Sequence, residues 1–115
     1  MREKITLESG GRKIFLDGHV IRGVERYTGL MFTRKNEAEI LIFKFRKPTR
    51  LAIHSFFVFF PFVAIWLDEK GRIIEKKKIQ PFSPYIIPQK DFKTFIEIPL
   101  SGKYMKIVDD IERFK

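Results

Sequence analysis

Leu51-Ala52-Ile53-His54-Ser55-Phe56-Phe57-Val58-Phe59-Phe60-Pro61-Phe62-Val63-Ala64-Ile65-Trp66-Leu67 is the stretch on which the fold turns. It runs for 17 residues without a formal charge. A membrane helix needs about 20 predominantly apolar residues, and this run is interrupted by His54, Ser55 and a central proline. Its aromatic and β-branched content around Pro61 predicts two buried strands, over 51–60 and 62–67, meeting at a bend. Phenylalanines at 56, 57, 59, 60 and 62 exceed what one face of a strand can bury. These strands are therefore expected to be covered on both faces, and an aromatic-lined pocket or a protein interface would draw on the same residues.

Outward from the run, alternation of apolar and polar residues recurs. Ile5 and Leu7 alternate with Lys4, Thr6 and Glu8, Ser9-Gly10-Gly11 supplies a turn, and 12–16 reads as the returning strand. Asp17-Gly18 predicts a second turn before His19-Val20-Ile21. Val24, Tyr27 and Leu30-Met31 recur at helical spacing and predict a short helix near 24–30. From Glu39 to Arg46, Leu41, Phe43 and Phe45 share one strand face and Lys44 and Arg46 the other, with Pro48 as the expected end. Asp68-Glu69-Lys70-Gly71 reads as a hairpin loop leading into a strand over 72–79. Pro81, Pro84 and Pro88 predict an extended surface connection. Thr94, Ile96 and Ile98 mark a late strand that Ser101-Gly102 turns, and Asp109-Asp110 reads as a turn before a last element over 111–114. Repeated strand-and-turn punctuation predicts an all-β fold, a small β-sandwich or barrel-like, jelly-roll-type sheet, with one short helix near 24–30. The 115 residues, with no linker composition, suit a single domain over 1–115.

An ordered set of segments resembles a known family. Gly29-Leu30-Met31-Phe32 is followed by the apolar strand 40–45 and the aromatic segment His54 to Pro61. Then come Leu67-Asp68-Glu69-Lys70-Gly71-Arg72-Ile73, Phe95-Ile96-Glu97-Ile98-Pro99 with Gly102, and Asp110 before Ile111. This order is similar to domain-of-unknown-function family 192, also called uncharacterised protein family 0127, over 20–114. The family's usual Phe-Trp-Met-Lys-Asn-Thr segment is replaced by His54 to Phe60, which looks like the archaeal variant. Val63-Ala64 stands where relatives have Leu-Asp, and Asp109-Asp110 where they have Gly-Asp. The resemblance implies a small β-sandwich-like domain and no established activity.

Composition excludes some chemistry outright. With no Cys, the chain cannot form disulfides, zinc-thiolate sites or a thiol nucleophile. His19 and His54, with carboxylates scattered singly, give no metal-ligand spacing, and no cofactor is called for. Twenty-three Lys plus Arg against 14 Asp plus Glu leave a net charge of +9, which favours anionic partners. A chain with two Gln and one Asn also fits a thermophile-like composition, in which charge rises and thermolabile amides fall. A charged start, Met1-Arg2-Glu3-Lys4, has no signal-peptide core and points to a cytoplasmic protein.

Two residue sets stand out as candidate sites. His54 and Ser55, with Phe57, Phe59 and Asp110, are the candidate ligand-binding residues, because two polar groups interrupt an otherwise apolar segment. With Asp68 or Asp110 the pair completes the inventory of a hydrolytic triad, but neighbours on a strand point to opposite faces. Lys44, Arg46, Lys47 and Arg50, with Lys76, Lys77 and Lys78, are the basic residues that a weak, unselective nucleic-acid interface would use. The reading that results is a non-catalytic ligand- or protein-binding module, with homo-oligomer formation through an aromatic surface as one use of the phenylalanines. Its alternatives are a basic nucleic-acid-binding module and a hydrolase-like enzyme around His54.

Overall fold

The computed structural model describes residues 2–21, 34–35, 37–55 and 58–113. Six strands form one sheet: Arg2–Ser9 (β1), Arg12–Ile21 (β2), Leu41–Thr49 (β3), Phe62–Leu67 (β4), Ile73–Ile79 (β5) and Phe92–Pro99 (β6), in the order β1-β2-β3-β6-β4-β5. All neighbours are antiparallel except β2 and β3, which pair in parallel over His19↔Leu41 to Ile21↔Phe43. The sheet curls until its two edges meet at one end, where the Glu8 amide donates to the Gly71 carbonyl at 3.0 Å. Of the expected architectures, the barrel-like one is found, as a half-barrel.

Both faces of β4 are covered, as the apolar content of 62–67 implied; all of Phe62 to Leu67 is buried. Odd and even residues of a strand face opposite ways, and they feed two separate cores. Val63, Ile65 and Leu67 join Leu7, Leu16, Ile42, Ile96 and Ile98 in the concave interior. Phe62, Ala64 and Trp66 join Phe43, Phe92 and Phe95 in an aromatic outer layer, covered by Ile53, Val58, Phe60 and Ile86. Trp66 lies 5.2 Å and Phe43 5.7 Å from the Phe95 ring, in tilted pairs.

Four expectations are corrected. The segment 51–60 is not a strand: among its described residues, ladder pairing is confined to a bridge in which Ile53 and Ile86 exchange backbone bonds at 2.8 Å. Asp17-Gly18 is no turn but lies within β2, because a Cβ on Gly18 would stand 2.8 Å from Ile40 Cγ2 and 2.9 Å from Ile40 O. Glycine there admits the neighbouring chain. β3 continues through Pro48 to Thr49, since its ladder with β6 is already irregular beyond Lys44 and Pro48 interrupts nothing. Asp109-Asp110 is no turn either: Gly102–Tyr104 forms a 3₁₀ turn that leads into a helix, Met105–Glu112 (α1). Tyr104, Val108 and Ile111, spaced four and three apart, bury one helical face in the concave interior. The helix expected near 24–30 lies outside the described residues.

Gly71, with φ of 80°, completes the β4–β5 loop. Asp68 fastens that loop by accepting from the Lys70 and Arg72 amides at 2.8 and 2.9 Å and from Arg72 Nε at 2.9 Å. Burial pulls the Asp68 carboxyl upward, but the two amides and the guanidinium outweigh it and hold it below its ordinary value.

Candidate functional site

Among the described residues, the one acid that is buried lies in the outer layer. Glu97 in β6 sits between Leu41 of β3 and Ala64 of β4 in the register, so its side chain shares the face of the aromatic layer. It is 6% exposed, and its Oε1 has no hydrogen-bond partner. Burial without a compensating charge pushes its carboxyl up to about 8, so the neutral acid prevails near neutral pH. Trp66 pairs with Phe95, one diagonal step from Glu97, where Cβ atoms stand about 7 Å apart and long side chains still meet. Its indole Nε1 is likewise buried without a partner. A neutral carboxyl offers one donor and free acceptor sites, and the indole offers one donor. Two donors on one apolar face are suited to an acceptor oxygen such as a carbonyl.

The candidate residues from the aromatic segment are not gathered into one place. His54 is exposed, and Phe59, 62% exposed, meets Phe82 edge-on at 5.4 Å. Phe57 lies outside the described residues. Asp110 is on α1, whose buried face belongs to the concave interior, on the other side of the sheet from Ile53, Val58 and Phe60. Ser55 is fully buried and holds two connections together. Its hydroxyl donates to Gln80 O at 2.7 Å and accepts from the Ser83 amide at 2.6 Å, while its carbonyl accepts from the Phe82 and Val58 amides. With proton and lone pair both engaged, this hydroxyl has the role of a brace. Ser55→Ala is expected to lower stability by about 1–3 kcal/mol in urea denaturation, by leaving the Ser83 amide unpaired. His54→Gln, at an exposed position, should stay within about 0.5 kcal/mol of wild type.

The basic residues are dispersed as well. Three inter-strand spacings, about 14 Å, separate β3 from β5 in the sheet order. Lys44 pairs with Glu3, Arg50 donates to Pro88 O at 2.9 Å, and Lys77 pairs with Glu75 at 3.0 Å. Lys76 donates to Ile111 O at 2.6 Å and so fastens the last turn of α1 to the sheet. Burial lowers its ammonium below the ordinary value, while Glu112 opposes that shift. Arg46, Lys47 and Lys78 are exposed.

Sequence reasoning passed over Glu97 because it stood inside an apolar strand whose other face, Thr94-Ile96-Ile98, drew the assignment. The signal was available: a strand covered on both faces has no solvent side for a carboxylate. Among the described residues no group of three or more His, Cys, Asp or Glu could hold a metal ion, and no helix is long and apolar enough to cross a membrane.

Comparison with known proteins gives a family and a fold. The model of domain-of-unknown-function family 192, described as Uncharacterized ACR, matches residues 19–104. No curated protein matches the sequence. The structure is similar to a protein from Sinorhizobium meliloti 1021, described provisionally as a transcription regulator, with a TM-score of 0.76 and 18% identity, covering 94% of this chain and 87% of that one. It is also similar to a protein of unknown function from Novosphingobium aromaticivorans DSM 12444, with a TM-score of 0.72 and 16% identity, covering 93% and 79%. At these identities the likeness is one of fold.

Proposed function

The chain belongs to domain-of-unknown-function family 192, and on that premise we propose that it is a non-catalytic module that binds a small, largely apolar ligand through its aromatic outer layer. The observation that carries this reading is the Glu97 carboxyl, buried without a partner for Oε1 on the same face as the unpartnered Trp66 indole nitrogen. Leaving such groups unpaired costs about 1–3 kcal/mol each, a cost that a ligand acceptor oxygen would relieve. Phe43, Phe62 and Phe95, buried in the same cluster, make the surroundings of these two groups apolar. Ser55, the hydroxyl nearest to His54 in sequence, is braced to backbone groups, which weighs against nucleophilic chemistry at that pair.

Thermal-shift screening with small apolar ketones and amides, at pH 6 where Glu97 carries its proton, tests the proposal. Ligands are expected to raise the melting temperature of wild type and to lose that effect on Glu97→Leu and at pH 9.5. No shift with any compound of this class, or shifts equal in Glu97→Leu, would overturn it.

A further inference from the structure

Where β6 ends and the 3₁₀ turn begins, an open cleft of about 360 Å³ is lined by Lys35, Ser101, Gly102 and Lys103. Its volume falls at the lower end of the range for small-ligand sites. Two of its four residues are lysines, and among the described residues no carboxylate forms an ion pair with either. Lys103 Nζ instead sits over the Tyr104 ring, 5.4 Å from its centroid.

Ser101 supplies an independent observation. It is 7% exposed, and its hydroxyl oxygen is buried without a hydrogen-bond partner. Buried hydroxyls almost always find a partner, and this one belongs to a residue of the cleft wall. The helical path also begins here. Its first bond runs from the Tyr104 amide to Ser101 O at 3.0 Å, so the Gly102 and Lys103 amides precede that bond and lack an intrahelical acceptor. A Cβ placed on Gly102 would meet nothing within 4 Å, so the backbone at this point is open to approach.

Two lysines, a serine and the leading amides of the turn border the cleft, residue types from which an oxyanion site is built, and two positive charges match the −1.5 to −2 of a phosphate monoester at about pH 7. We propose that this cleft binds the phosphate of a small soluble phosphate monoester, with Lys35 and Lys103 pairing its charge and Ser101 and the Gly102 amide fixing its oxygens. The site is distinct from the Glu97 face and does not depend on it.

Amide chemical shifts followed by NMR at low salt, with glycerol 3-phosphate as the probe, test the inference. The expected result is a saturable response centred on Ser101, Gly102 and Lys103. Glycerol itself should give none, and inorganic phosphate should compete. The double variant Lys35→Ala/Lys103→Ala is expected to weaken binding at least tenfold. Gly102→Leu should weaken it similarly by filling the cleft, and both should keep the wild-type melting temperature within a few degrees. Glu97→Leu should bind the probe like wild type, which separates this site from the aromatic face. Undiminished affinity in the double variant, or a response spread over Arg46, Lys47 and Lys78, would overturn the proposal. So would binding confined to phosphatidic-acid vesicles with none to the soluble probe.

Discussion

Wild-type folding stability is expected to fall by about 4 kcal/mol between pH 5 and pH 8, and Glu97→Gln should remove most of that fall. The acid is ordinary in the unfolded chain, at 4.5, and raised to about 8 in the folded one. Below 4.5 both states carry the proton, and Glu97 adds no pH dependence. Between the two values the unfolded state releases it and the folded state does not, so every pH unit favours unfolding by about 1.4 kcal/mol. Above 8 the loss is complete. Urea denaturation of both proteins at pH 5, 6.5 and 8 measures this directly. Parallel pH profiles for wild type and Glu97→Gln would mean that the carboxyl ionises freely in the folded protein, and the candidate site would lose its neutral donor. Glu97→Leu should exceed wild type in stability at pH 8, because an apolar group of similar size replaces an ionisable one in an apolar layer.

Trp66→Ala is expected to cost about 3–5 kcal/mol, a large share of the 5–15 kcal/mol typical of a domain. The ring is fully buried, pairs with Phe95 at 5.2 Å, and stands in the middle of the outer layer. Its removal leaves a cavity between strands that are held from both faces and cannot close over it. Trp66→Phe separates the ring from its nitrogen. It keeps most of the apolar surface and removes an N–H that has no partner, so it should lose less than about 1.5 kcal/mol. Circular dichroism melts and urea midpoints report both variants. Equal losses for Phe and Ala would show that the indole N–H is hydrogen-bonded, and the donor pair proposed with Glu97 would fail.

Strand content was legible in the sequence where alternation or a short apolar run met turn chemistry. Ser9-Gly10-Gly11 and Asp68 to Gly71 both connect hairpin strands, and Phe62 to Leu67 is covered on both faces as its composition required. The misreadings share a physical cause: local signals took the place of tertiary ones. Gly18 looked like a turn because glycine usually marks one, whereas here the proximity of Ile40 requires it. The aromatic segment before Pro61 has strand composition, yet among its described residues Ile53 pairs only with Ile86, and the Ser55 carbonyl accepts from the Val58 and Phe82 amides. Tyr104, Val108 and Ile111 carried helical spacing that the Asp109-Asp110 doublet obscured. The candidate site was the least legible part. Glu97 gains its meaning only when β3 and β4 enclose it, and the Lys35–Lys103 cleft joins residues 68 positions apart.

The strand order has a consequence for how the chain reaches this state during synthesis. β6 is made after the other five described strands, yet it lies between β3 and β4. Until Pro99 has left the ribosome, the hairpins β1–β2 and β4–β5 can form, but β3 and β4 each present an unpaired, strongly apolar edge. Such edges recruit other strands. The nascent protein is therefore most exposed to aggregation just before β6 emerges, and β6 ends that interval by pairing with both neighbours at once.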